Sequence, residues 1–141
     1  MCKETLKKIG RAIIGHDQEV VSPQDWIHEG DISYSVLDNA IVIDGVLPEV
    51  WITSVTDTNS MDGPLDIGHS LICSNNKYYL DRVKIGDVII FEKWTPEQKY
   101  IAHQIVREDD GWVTQGWNCS EEDWWRVQPE EIRYVVLGII W

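Results

Sequence analysis

Short runs of β-branched and aromatic residues, each closed off by turn residues, recur along this chain: Leu71-Ile72-Cys73, Asp87 to Phe91, Tyr100 to Val106, Trp112 to Gln115 and Tyr134 to Ile140. Residues of this kind fit a pleated, half-buried surface, so each run reads as a strand. The set predicts a mainly β chain with a coiled, partly closed antiparallel fold. Pro129-Glu130-Glu131-Ile132 reads as a single turn before the last strand, and Ile41 to Leu47 as a hairpin turn around Asp44-Gly45. Short helices are expected at the N-terminus. Leu6, Ile9 and Ile13 fall at helical spacing with Lys and Arg between them, and Ser22-Pro23 has the form of a helix cap followed by a first-turn proline.

A chain of 141 residues with 43% apolar content can bury a real core as one domain, residues 1–141, with a helical segment over 1–30. A formal charge of -12 argues against nucleic acid, which is bound through clustered Lys and Arg. No stretch approaches the ~20 apolar residues that span a bilayer, so no integral membrane segment is expected, only weak peripheral contact through the basic helix. Three cysteines and no apolar leader point to a reduced, cytoplasmic setting. Cys73, Cys119, His69 and His103 lack the spacing of metal ligands, and no glycine-rich phosphate loop is present, so neither metal nor cofactor is expected.

Chemistry concentrates around Ser60-Met61, a serine on a turn that follows the strand Pro48 to Val55. A serine hydroxyl is a weak nucleophile until a base takes its proton and a third group orients the base. In Lys99 to Val106 the period-two alternation sets Ile101, His103 and Ile105 on one apolar face, turning the imidazole inward. Asp110-Gly111 then signals a hairpin. A two-residue turn there would oppose Val106 to Gln115 and Ile105 to Gly116, bringing the loop that carries Asp123 beside His103. Ser60, His103 and Asp123 are therefore the catalytic candidates. Each also has a plain structural reading, as a turn serine, a core histidine and an acid in a solvated run.

Ser60-Met61 before Pro64-Leu65, Val83 to Phe91, Ile101 to Val106 and Thr114-Gln115-Gly116-Trp117-Asn118 follow one another as in type I signal peptidases. Over roughly Val50 to Trp141 the chain resembles the superfamily that also holds the LexA-type self-cleaving repressors. A histidine where bacterial members carry lysine makes it more similar to the archaeal and endoplasmic-reticulum branch. The resemblance implies a Ser-His-Asp site of Ser60, His103 and Asp123, with Ser60 N–H and the Thr58 hydroxyl as oxyanion donors. It also implies that an extended polypeptide adds to the strand before the serine, which makes Trp51, Thr53, Val55 and Met61 the substrate-contacting candidates. No DNA-binding domain is seen ahead of the protease-like part.

The activity so implied is a soluble serine endopeptidase, cutting itself or a partner protein. The alternative is a catalytically inactive module that keeps the fold for protein binding or assembly. Gly63 and Trp117, which stand where the family carries proline and aspartate, permit that alternative. Trp117, Trp124 and Trp125 are then candidates for a peptide groove or partner surface.

Overall fold

The computed structural model describes residues 21–55, 61, 65, 67–94, 96 and 100–140. Among the described residues eight strands are present: β1 (Ile32–Ser35), β2 (Ala40–Ile43), β3 (Val50–Ser54), β4 (Ser70–Ser74), β5 (Val88–Glu92), β6 (Tyr100–Glu108), β7 (Trp112–Gln115) and β8 (Ile132–Ile140). One short helix, α1 (Lys77–Leu80), and 3-10 turns at Glu29–Asp31 and Pro129–Glu131 complete the described chain. β1 and β2 form a separate hairpin, and the other six form an antiparallel sheet in the order β3-β4-β8-β5-β6-β7. The chain is thus mainly β and antiparallel, as its residue pattern predicts.

The sheet is open. β3 and β7 are its ends, and no strand pairing among the described residues joins them, where partial closure was expected. Alternation along a strand says which side faces a core, but closure depends on stagger between strands far apart in sequence, which no local pattern encodes.

Alternation supplies a core on each face. On one face Leu71, Cys73, Val88, Ile90 and Val136 pack together, covered by Met61 and Leu65 from the segment after β3. On the other, Ile89, Phe91, Ile101, Ile105, Val127 and Ile132 form one cluster, and Ile72, Tyr79, Val135 and Leu137 form its neighbour. Burying such side chains stabilises the fold by about 1.5–3 kcal/mol each.

Three local expectations give way to tertiary contacts. Ser22-Pro23 starts no helix: residues 21–25 have no regular structure. They are held along the domain by the side-chain amide of Gln104, which donates to the Val21 carbonyl (2.9 Å), and by the Asp87 carboxylate, which accepts from the Gln24 N–H (2.9 Å) and the Gln24 side-chain amide (2.6 Å). The chain passes so close to Gly86 (φ +103°) that a Cβ there would lie 2.3 Å from the Ser22 carbonyl oxygen. The hairpin expected around Asp44-Gly45 lies earlier, at residues 36–39, where Asn39 (φ 50°) turns the chain and Ser35 donates to Asp38 (2.6 Å). Gly45 (φ 73°) instead takes the chain out of β2. α1 was not anticipated; the Asn76 side chain caps it by accepting from the Tyr78 N–H (2.9 Å). The proposed helix over residues 5–14 lies outside the described residues.

Glu131 fastens the turn before β8. Its carboxylate accepts from the Gln128 N–H (2.8 Å) and pairs with Lys93, whose ammonium also donates to the Arg126 carbonyl (3.2 Å). Burial opposes ionisation of Glu131, but the Lys93 and Gln128 donors outweigh it and hold the carboxyl below its ordinary range. A depressed carboxylate stabilises the fold above its unfolded titration range, and that stability is lost as pH falls through the folded value. On acidification below about pH 4.5, Glu131→Gln should therefore lose less stability than the natural chain, by about 0.5–1 kcal/mol. Urea midpoints measured at pH 7 and at about pH 3 read this directly; equal acid losses in the two proteins would remove Glu131 from the acid response.

Candidate functional site

β6 positions the histidine. Ile89 lies opposite His103 across the β5–β6 pair, and Phe91 packs its ring edge-on to the imidazole at 6.4 Å, leaving His103 6% exposed. β6 pairs Ile105 with Thr114 and Gln104 with Gln115, with a bulge between Ile105 and Arg107. The expected register, Val106 to Gln115 and Ile105 to Gly116, is therefore corrected. Three residues, 109–111, make the turn instead of two, and the bulge takes up one residue of β6. The correction sets the end of β7 nearer to His103, because Gln115 already lies opposite Gln104.

Beyond β7 the loop returns against its own strand. The Asp123 N–H donates to the Thr114 carbonyl (2.8 Å), and the Thr114 hydroxyl donates to Asp123 Oδ2 (2.6 Å). The same Oδ2 lies 2.7 Å from His103 Nδ1. Only 7% of the His103 side chain and 11% of the Asp123 side chain are exposed. An ionised carboxylate accepts but cannot donate, so the bond puts the ring proton on Nδ1 and leaves Nε2 of a neutral imidazole as a base. His103 and Asp123, twenty residues apart, are thus brought together as anticipated.

Outside this pair, Arg107 donates through two nitrogens to Glu122, the neighbour of Asp123, and also pairs with Asp109, which Arg126 meets from the far side. These guanidinium contacts hold Glu122 and Asp109 below the ordinary carboxylate range. Gln115 donates to the Cys119 carbonyl (2.8 Å), tightening the start of the loop. Cys119 is disulfide-bonded and Cys73 is a free, buried thiol whose titration burial raises. An odd cysteine count leaves one thiol over without forbidding a bridge, so the inference of wholly reduced cysteines does not hold.

Ser60 and Thr58 lie outside the described residues. Met61, the next residue after Ser60, is 4% exposed, in the cluster with Leu71 and Ile90, and its sulfur accepts from the Trp117 N–H (3.3 Å). Met61 is thereby tied to the loop that carries Asp123. Met61 serves as an anchor in the core. Val55 is partly buried, and its N–H donates to the His69 carbonyl (3.0 Å). Trp51 and Thr53 do face a cleft, of about 380 Å3, whose walls include Cys73, Ile90, Tyr100 and Tyr134. Alternation places Ile90, in the wall of this cleft, and His103 on opposite faces of the sheet.

Thr114 is the site residue that sequence reasoning passed over. It belongs to the Thr-Gln-Gly-Trp-Asn motif, but its signal was the register, which sets it opposite Ile105 on the face of His103. Trp125 packs on Phe91 (6.2 Å) and Trp124, 86% exposed, on Trp125 (5.5 Å), so an aromatic row runs from the surface to the imidazole. Among the described residues no three His, Cys, Asp or Glu side chains gather as a metal site, and no helix is long and apolar enough to cross a membrane. Comparison with protein-family models, curated proteins and solved structures finds no match to this chain.

Proposed function

We propose that this chain is a serine endopeptidase of the signal-peptidase type, cutting an extended polypeptide segment of itself or of a partner protein. The observation that carries the reading is the buried contact of 2.7 Å between His103 Nδ1 and Asp123, which readies Nε2 to take a proton. Ser60 Oγ bonds to the peptide carbonyl carbon as its proton passes to Nε2. The oxyanion that forms is met by the Ser60 N–H and the Thr58 hydroxyl. The carbon–nitrogen bond then breaks, and the leaving amine takes the proton from the ring. Water repeats the sequence on the acyl-serine, releasing the acid and restoring Ser60. Support for Ser60 is its neighbour Met61, fixed to Trp117 at the head of the Asp123 loop.

A fluorophosphonate probe tests the reading. The natural chain should be labelled, and Ser60→Ala and His103→Ala should not. Equal labelling of Ser60→Ala would end it. The non-catalytic reading draws on the β1–β2 turn, where Val36 and Leu37 are 80% and 98% exposed. An unlabelled natural chain that retains a protein partner, with the partner lost from Leu37→Asp, would select that reading instead.

A further inference from the structure

We infer that Thr114 is a positioning residue for the imidazole, acting through Asp123; this rests on the proposed protease reading. Three observations converge. Thr114 is wholly buried, its hydroxyl donates to the same carboxylate oxygen that meets His103 Nδ1, and its carbonyl accepts from the Asp123 N–H. Asp123 stands on an irregular loop and not on a strand, so its backbone alone gives the carboxylate no fixed direction. Gripped at main chain and side chain by one β7 residue, it takes the direction of the sheet. The second donor has a further consequence. A carboxylate held by two donors at Oδ2 cannot rotate that oxygen away from the ring without breaking both bonds, so the proton stays on Nδ1 and Nε2 stays unprotonated in the neutral ring.

The experiment compares Thr114→Val, Thr114→Ala and Thr114→Ser. Valine keeps the branched shape without the donor, alanine removes the donor with little crowding should valine fail to fold, and serine keeps the donor. Nitrogen-15 spectra of the histidine rings, at a pH where His103 is neutral, report which nitrogen carries the proton. The expected result is a lower fraction of the Nδ1–H form in whichever of the valine and alanine variants folds, with the natural spectrum restored by serine. Fluorophosphonate labelling should slow by about 10- to 100-fold in the same variants and recover in serine. A ring that keeps its natural spectrum without the hydroxyl would overturn the inference. The spectra are also taken in the Ser60→Ala background, so the Thr114 inference is tested even if the natural chain proves not to react with the probe.

Discussion

Asp123→Asn should slow fluorophosphonate labelling by about 10,000-fold while leaving the urea midpoint close to that of the natural chain. The expectation follows from what the carboxylate does at 2.7 Å from His103 Nδ1. On the proposed reading it selects the ring form whose Nε2 can accept a proton, and its negative charge would stabilise the imidazolium that develops as Ser60 attacks. An amide has the same shape but no charge, and its NH2 group can present a donor to Nδ1, which drives the proton to Nε2 and blocks the base. The fold should tolerate the change because the main-chain bond from Asp123 to Thr114 remains. A loss of less than about tenfold would show that Asp123 does not orient a catalytic base.

The second large effect is on stability. Asp87→Ala should lower the free energy of unfolding by at least about 3 kcal/mol, read from urea midpoints. The Asp87 carboxylate is fully buried and accepts from the Gln24 N–H, the Gln24 side-chain amide and the Lys84 N–H. Removing it leaves these donors without their acceptor, and the Gln24 segment loses its hold on the domain. Asp87→Asn retains one oxygen and should cost less. A loss below about 1 kcal/mol for alanine would mean that solvent reaches these groups.

Strands were legible in this sequence wherever local pattern decides the outcome. β7 falls on Trp112–Gln115, where its residues place it, and β4, β5, β6 and β8 differ from expectation at their ends alone. In β6 the alternation also sets His103 inward among apolar side chains. What was not legible depends on long-range partners. Ser22-Pro23 carries a helix-start signal, but Asp87 and Gln104, more than sixty residues away, hold that segment in another form. The bulge after Ile105 has no signature in Ile105-Val106-Arg107, yet together with the three-residue turn it sets Thr114 opposite Ile105, beside the site, instead of opposite Arg107. Asp123 could be brought to His103 from the hairpin signal; the residue that orients it required the register.

The outer margin of β3 bears on how this protein behaves when concentrated. Among the described residues this strand has one strand neighbour, β4, and its five residues Val-Trp-Ile-Thr-Ser are all exposed and carry no charge. Uncharged, solvent-facing margins of this kind invite intermolecular pairing and aggregation, and natural sheets discourage it with lysine or proline in the strand itself. Here Pro48 and Glu49 guard the entrance alone. A lysine in place of Ile52 would protect the remainder, and the solubility of the purified chain should rise with it.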